Sequence, residues 1–211
     1  MGAGSRNDLK FHPRHPPAAR VRRPGPARPL AVGGRRLLSG IGKQAVAGPV
    51  AVGRLGLAGD EQADLSIHGG LAKAVYAYPS EHLAFWQAAR REGGTSLFDE
   101  PLPPGFVGEN LTLAGLLEAQ VFIGDTLRFD GSDCVLRVTA PREPCGKFVA
   151  VMGLKDGART MVREARCGFY LAVDAPGALQ SGMAVQLTAA RQRTYSIPDA
   201  IRAKWAKHRN G

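Results

Sequence analysis

The second half of the chain is divided into short strand-like runs, and this pattern constrains the fold most strongly. Several runs rich in β-branched and aromatic residues alternate with Gly-Asp, Asp-Gly-Ser and Pro-Gly turns. Short runs spaced closely by tight turns are typical of an antiparallel sheet that closes towards a barrel. We therefore predict a mainly β fold with a few helices. The runs are residues 121–123, 126–129, 135–140, 169–173 and 184–189.

Helices are expected at only a few places. Pro79 can begin a helix that continues to residue 91, and shorter helices are expected over residues 152–165 and 197–207. Residues 95–108 are rich in Pro and Gly and predict a long loop of the kind that lines a site. The sequence has no glycine-rich phosphate cradle of the GxGxxG or GxxxxGK type, so a nucleotide-binding α/β fold has no support.

The net charge of +10 is concentrated at the two ends of the chain. Residues 1–30 carry +6 and residues 191–211 carry +5, whereas the span between them carries −1. A nucleic-acid-binding domain has its basic residues on the folded surface, so this distribution disfavours a nucleic-acid partner. The Arg- and Pro-rich residues 1–36 predict a disordered basic tail. We expect one domain over residues 37–190 and a basic C-terminal tail with a short helix over residues 191–211.

Composition predicts a cytoplasmic protein. No run of about 18 apolar residues, the length needed to span a bilayer, occurs in the sequence. The amino terminus lacks the apolar stretch of a secretory signal. The cysteines are odd in number and show no CxxC spacing, which disfavours both a zinc site and a disulfide framework.

Cys145 is the candidate reactive residue. It ends the segment Pro141-Arg142-Glu143-Pro144-Cys145, in which two prolines stiffen a loop that follows a strand. Arg142 favours the thiolate form of the thiol, and a thiolate is both a nucleophile and a soft metal ligand. The alternative is a buried, inert cysteine. Cys134 and Cys167 are predicted to be packing residues.

Two further segments offer polar groups to a ligand. His68 precedes Gly69-Gly70 at a strand-to-turn junction, where its imidazole can reach an anion or be satisfied by a backbone group. The segment Gly108-Glu109-Asn110 ends the long loop and can offer a carboxylate and an amide, or form a turn. Lys73 is expected to be a solvated charge.

Taken in order, these segments resemble the MOSC domain, named for the C-terminal domain of molybdenum cofactor sulfurase, and in particular its stand-alone YiiM-like, hydroxylaminopurine-resistance branch. The resemblance covers about residues 40–190. The matching segments are Gly42-Lys43, Gly48-Pro49-Val50, Gly59-Asp60-Glu61-Gln62-Ala63-Asp64, His68-Gly69-Gly70, Lys73-Ala74-Val75-Tyr76, Tyr78-Pro79, Glu81-His82, Trp86, Gly108-Glu109-Asn110-Leu111-Thr112, Ile123-Gly124-Asp125 and Pro141-Arg142-Glu143-Pro144-Cys145.

The resemblance implies a MOSC-like β-barrel that binds the molybdenum cofactor, a molybdenum–molybdopterin complex. It implies that Cys145 is the molybdenum ligand and the catalytic residue. Four further residues are implied to hold the anionic pterin phosphate or to orient substrate, namely Lys43, His68, Asn110 and Arg142.

The implied activity is that of an oxidoreductase that reduces N-hydroxylated small molecules, including base analogues, independently of pyridoxal phosphate. Because the sequence has no flavin, haem or iron–sulfur motif, a separate electron-donor protein is expected. Three alternatives remain open: a sulfur transferase that carries a persulfide on Cys145, a non-catalytic carrier of the cofactor, and a nucleic-acid binder that uses the basic tails.

Overall fold

The computed structural model describes residues 18–23, 28–32, 35–39, 43–60, 70–96 and 101–210. The described part is mainly β, as predicted, with four α-helices. The strands are β1 (Ala18–Arg23), β2 (Arg28–Val32), β3 (Arg35–Ser39), β4 (Gln44–Ala45), β5 (Val50–Gly53), β6 (Gly56–Leu57), β7 (Val75–Pro79), β8 (Leu111–Ala114), β9 (Thr126–Phe129), β10 (Val135–Pro141), β11 (Phe169–Ala175), β12 (Gly177–Leu179) and β13 (Val185–Thr188). The helices are α1 (His82–Glu92), α2 (Gly146–Met152), α3 (Gly157–Glu164) and α4 (Ile197–Asn210).

The main sheet has the strand order β13-β9-β10-β11-β7-β8-β1-β4. Neighbouring strands are antiparallel except β7 and β8, which are parallel and are joined by a crossover that contains α1. The N–H of Ala19 in β1 donates to the carbonyl of Met183 at 3.0 Å, and the N–H of Gly182 donates back to Ala19 at 2.8 Å. These bonds bring β1 against the residues that lead into β13. Seven strands, from β13 to β1, therefore form a nearly closed barrel, which confirms the predicted fold class.

The strands nearest the candidate site are buried along their length. All five residues of β7 are buried, and so are the first five residues of β11. On the β7 side, Trp86 of α1 is fully buried and donates from its indole nitrogen to the Tyr78 hydroxyl at 2.6 Å. Apolar burial of this kind is the main favourable contribution to folding, and it holds β7 and β11 in a fixed position.

The helices differ from the predicted ones at their ends. Helix α1 begins at His82, because Pro79 is the last residue of β7 and pairs with β8. It ends at Glu92, one residue beyond the predicted end, and the N–H of Gly93 caps its last turn. Residues 152–165 contain α3 only from Gly157, since Gly153 has a left-handed backbone that ends α2. The sequence did not predict α2, which has only seven residues, two of them β-branched.

The prediction of disorder through residue 36 is wrong for β2, for the first residues of β3 and, in the main sheet, for residues 18–23. These residues form β1, which pairs with β8 and completely buries Ala19 and Val21. The apolar positions alternate with Arg20 and Arg22, so the strand pattern is present but is masked by a strongly basic, Pro-rich composition. The sheet therefore includes residues on the N-terminal side of the boundary predicted at residue 37. Within the described ranges, no helix has the length and apolar character needed to cross a membrane.

Gly168 generates the first prediction. It has φ +63°, and a Cβ there would overlap the Ala77 carbonyl oxygen and lie 2.8 Å from the Tyr76 ring. Gly168→Ala is expected to lower the free energy of unfolding by about 3 kcal/mol or more, because backbone strain and overpacking add. The matched control is Gly182→Ala, which has φ +94° and nothing within 4 Å of the added Cβ. Strain alone predicts about 1–2 kcal/mol for this control. Equal losses in urea unfolding would contradict the steric argument.

Candidate active site around Cys145

Cys145 lies between β10 and α2. It has an extended backbone, with φ −133° and ψ 166°, and it immediately precedes the first residue of α2. Its side chain is partly exposed and packs at the edge of the apolar core. Cys145 is therefore anchored at the edge of the barrel core and is partly exposed, in a segment that follows a strand as predicted.

Arg142 provides a buried positive charge beside this thiol. Its side chain lies under the surface, and Nη2 donates to Sγ of Cys145 at 3.5 Å. The guanidinium carbon is 5.6 Å from the ring centroid of Tyr76 and 5.2 Å from that of Phe148. Burial lowers the pKa of Arg142, but the neighbouring Tyr76 and Cys145 raise it more, so the net pKa lies above the ordinary value. The group is a permanent cation in an aromatic surrounding.

One nitrogen of this guanidinium has no acceptor. Nη1 of Arg142 is buried and makes no hydrogen bond within the described part of the chain. A buried, charged donor without an acceptor is costly, whereas an anionic ligand would satisfy it through a charge-assisted hydrogen bond. Arg142 therefore brings an incompletely satisfied positive charge next to the thiol.

Tyr170 of β11 forms another wall of the site. Its register partner on β7 is Tyr76, and the two ring centroids are 5.5 Å apart. Burial raises the pKa of Tyr170, and a hydrogen bond with Arg142 opposes this shift, so the phenol stays protonated at neutral pH. Sequence reasoning missed both tyrosines. The signal that could have found them is the placement of aromatic residues on two buried strands.

Lys73 lies closer to the site than predicted. Its Nζ is 5.6 Å from the ring centroid of Tyr170, and the residue is half-buried rather than fully solvated. The short 3₁₀ turn Leu71–Lys73 is held there because the Thr139 hydroxyl contacts the carbonyls of Ala72 and Tyr170, at 2.5 and 3.1 Å. His68, just before this turn, lies outside the described residues.

Lys43 and Asn110 are brought together by Asp60. The Lys43 Nζ lies 2.8 Å from Asp60 Oδ1, and Asn110 Nδ2 donates to Asp60 Oδ2 at 2.8 Å. Burial lowers the pKa of Lys43, and Asp60 opposes this effect. Asn110 Oδ1 accepts from the N–H of Tyr76 at 3.0 Å. The cluster thus supports the backbone of the residue whose ring contacts Arg142. Sequence reasoning gave Asp60 no role.

Glu109 is a buried residue of the long loop. Its Oε1 accepts from the N–H of Gly105 at 2.5 Å and from the Thr112 hydroxyl at 2.9 Å. These bonds tie the loop to the start of β8. The structure shows that this carboxylate holds the loop in place. The ligand-binding role that the sequence suggested for it stays a prediction.

The other two cysteines are packing residues, as predicted. Cys134 and Cys167 have no exposed surface and form no disulfide. Burial raises the pKa of Cys134 to about 11 and that of Cys167 well above its ordinary value. Cys145, by contrast, is partly exposed.

Fold and site together define a β-barrel protein with a partly exposed thiol clamped by a buried arginine. The sequence matches the MOSC domain family over residues 64–186. The chain belongs to the MOSC domain family, in its stand-alone YiiM-like branch.

Three relatives set this membership in context. The uncharacterized protein YflK of Bacillus subtilis (strain 168) is 34% identical over 186 residues, which are 88% of this chain and 80% of YflK. Protein YiiM of Escherichia coli (strain K12) is 34% identical over 167 residues, 79% of this chain and 71% of YiiM. The crystal structure of E. coli YiiM superposes with a TM-score of 0.66 at 26% identity, over 91% of this chain and 78% of that one. A protein named "Reductase" from Gibberella moniliformis (strain M3125 / FGSC 7600) is 31% identical over 178 residues, 84% of this chain but 30% of that protein.

Cys134 generates a prediction about pH. Its folded-state pKa of about 11 lies above the ordinary value of 9.0, so between these values the folded chain retains a proton that the unfolded chain has released. The free energy of unfolding therefore falls as pH rises from about 9 towards 11. In Cys134→Ala this decline should be smaller by on the order of 2 kcal/mol. Urea unfolding of both proteins at a series of pH values measures the difference, and parallel curves would contradict it.

Proposed function

We propose that the chain is an oxidoreductase that binds the molybdenum cofactor and reduces N-hydroxylated small molecules, with Cys145 as the molybdenum ligand. The observation that carries the proposal is the contact between the partly exposed Cys145 thiol and the buried guanidinium of Arg142. Membership of the MOSC domain family associates the chain with the molybdenum cofactor. The relative named "Reductase" supports the reaction class.

The residues around Cys145 fit an anionic cofactor that carries a soft metal. A cysteine thiolate is a suitable ligand for such a metal, and the N–H of Arg142 beside Sγ favours the thiolate form. The buried Nη1 of Arg142, which has no acceptor among the described residues, can donate to a phosphate or another oxyanion. Lys73 adds positive charge near the ring of Tyr170. The charge of the site and the chemistry of its thiol thus both fit the molybdenum cofactor.

The chain's own residues would bind and orient the cofactor and the substrate and shield them from water. Tyr76, Tyr170 and Phe148 surround the guanidinium with aromatic surface, against which a planar ring such as a pterin or a base analogue can pack. Tyr170 keeps its phenolic proton at neutral pH and can donate to a polar atom of a bound molecule. When bound, the cofactor supplies the two-electron redox chemistry.

Reduction of an N-hydroxylated compound to its amine consumes two electrons and two protons, breaks the N–O bond and releases water. We assign the electrons to a separate donor protein, because the sequence carries no flavin, haem or iron–sulfur motif. We place the reaction in the cytoplasm, on the composition and cysteine usage of the chain. A nucleic-acid partner is not part of the proposal, since the basic excess lies at the chain ends.

The remaining candidate residues have different roles in this proposal. Lys43 and Asn110 support the site from behind Tyr76, because Asp60 engages both side chains. His68 is proposed, on the family resemblance, to hold the anionic end of the cofactor. Arg142 contacts the cofactor directly.

Replacing the thiol tests the proposal. Cys145→Ser should lose both molybdenum and reductase activity, because a hydroxyl is a poor soft-metal ligand. Metal analysis and hydroxylamine or amidoxime reduction are measured on protein made in a host that synthesises the cofactor. Cys134→Ala is the control and should keep both. Retained reduction by Cys145→Ser would refute the assignment. A labile extra sulfur atom on Cys145 of the wild type, without reductase activity, would replace it with sulfur transfer.

Replacing the guanidinium gives a second test. Arg142→Gln should lower the molybdenum retained after gel filtration by about tenfold, since a charge-assisted hydrogen bond to the cofactor is lost. Arg142→Lys should recover only part of it, because a single ammonium cannot contact the thiol and an anion with the same geometry. Arg128→Gln, on an exposed position of β9, is the control and should retain wild-type content. Wild-type content in Arg142→Gln would exclude the proposed contact.

A further inference from the structure

A buried polar network lies behind the site and is not used by the proposed chemistry. His82 at the start of α1 and Glu118 in the 3₁₀ turn Glu118–Gln120 are 5% and 3% exposed. Their side chains meet at 2.6 Å, between His82 Nε2 and Glu118 Oε2. Arg166 Nη1 lies 2.9 Å from His82 Nδ1, and the N–H of Gly168 donates to Glu118 Oε1 at 2.7 Å. Two separate elements, the start of α1 and the 3₁₀ turn, thus converge on residues 166–168.

The hydrogen-bond pattern fixes the tautomer of His82. A guanidinium has no acceptor, so Arg166 donates and Nδ1 of His82 accepts. The ring proton is therefore on Nε2 and is donated to Glu118. Glu118 accepts at both oxygens, a condition that only a carboxylate meets here. The buried charge of Glu118 thereby has defined partners, as burial requires.

The same backbone segment supports Arg142. The carbonyl of Gly168 accepts from the Arg142 N–H at 3.3 Å. The carbonyl of Cys167 accepts from the Tyr76 hydroxyl at 2.9 Å, so the preceding residue is also bound to a wall of the site. Gly168 has no room for a Cβ, which means that the segment packs directly on β7. Whatever fixes Gly168 also fixes the backbone from which Arg142 reaches Cys145.

We propose that Glu118, oriented by His82, is a positioning residue for Arg142. It holds Gly168 in place, and Gly168 in turn holds the Arg142 backbone so that the guanidinium lies against the Cys145 thiol. The proposal rests on the role given to Arg142 under the proposed function. A purely structural carboxylate would stabilise the fold without affecting the charge felt at the thiol, so the two interpretations differ in a measurable way.

The experiment alkylates Cys145 of the cofactor-free protein with iodoacetate and with iodoacetamide, and mass spectrometry restricts the measurement to this residue. Both reagents react with the same thiolate, so the ratio of the iodoacetate rate to the iodoacetamide rate is independent of the thiolate fraction. Because only iodoacetate is an anion, a higher ratio reports more positive charge beside Sγ. Arg142→Gln sets the ratio expected when the guanidinium is absent. Glu118→Gln should lower the ratio by about threefold or more towards that value.

The sign of this change separates positioning from simple electrostatics. Glu118→Gln removes a negative charge, which by itself would raise the preference for the anionic reagent. Displacement of the Arg142 guanidinium from the thiol would instead lower the preference for the anionic reagent. The Gln amide has one acceptor and one donor end, so it cannot accept from both Gly168 and His82. An unchanged or raised ratio in folded Glu118→Gln overturns the proposal.

Three variants complete the design. Asp125→Asn is the matched control, because Asp125 is fully buried and accepts from Phe122, Ala190 and Arg193 instead. It should lose stability but keep the wild-type ratio, and an equal fall in ratio would overturn the proposal. His82→Gln, whose amide can accept from Arg166 and donate to Glu118, should also keep the ratio. His82→Leu should lower it, and this variant decides the matter if Glu118→Gln does not fold.

Failure of the proposed function gives a different result. It shows as wild-type protein without molybdenum or reductase activity, whereas the alkylation ratios are measured without cofactor. All rates are compared at a temperature below the unfolding transition of each variant, so that global unfolding does not contribute.

Discussion

The contact between the Arg142 guanidinium and the Cys145 thiol is the interaction on which the site depends. A permanent cation lies buried near the aromatic rings of Tyr76 and Phe148, and the described residues meet only part of its hydrogen-bonding capacity. A buried cation with an unsatisfied donor lowers the stability of the fold unless a ligand supplies the missing acceptor. The fold tolerates this because β7, β10 and β11 hold the surrounding residues in place. The folded state thus places an incompletely satisfied positive charge beside the thiol.

The residues behind the site explain how that arrangement is held. One cluster, Lys43, Asp60 and Asn110, binds the backbone of Tyr76. A second, formed by His82 and Glu118, binds the segment that supports Arg142. Both clusters consist of polar side chains bonded to one another, and each accepts a hydrogen bond from a backbone N–H of the site's supporting segments, that of Tyr76 in the first and that of Gly168 in the second. The barrel supplies the frame, and these clusters set the positions of the reactive groups.

Much of this could be read from the sequence, and the exceptions have physical reasons. Short runs between tight turns predicted the barrel, and the two prolines at residues 141 and 144 predicted that Cys145 lies in a stiff segment after a strand. The roles of Tyr170, Asp60 and Glu118 were not predictable, because each depends on pairing between distant strands or turns. The strand at residues 18–23 was missed, since composition outweighed a weak alternation. Helix α2 was missed because it is short and contains Phe148, Val149 and Val151, which favour strands.

The closure of the barrel by Ala19 has a consequence for the order in which the chain folds. The N–H of Val21, next along the same strand, donates to the Ser181 hydroxyl, a contact between residues 160 positions apart in sequence. During synthesis β1 leaves the ribosome before the other strands, whereas residues 181–183, which it contacts, emerge much later. The contacts that close the barrel therefore form late in synthesis or after it. Contacts of such long sequence separation form slowly and leave strand edges exposed meanwhile. The positive charges that flank Ala19 and Val21 are the kind of residues that keep an unpaired edge from pairing with other chains.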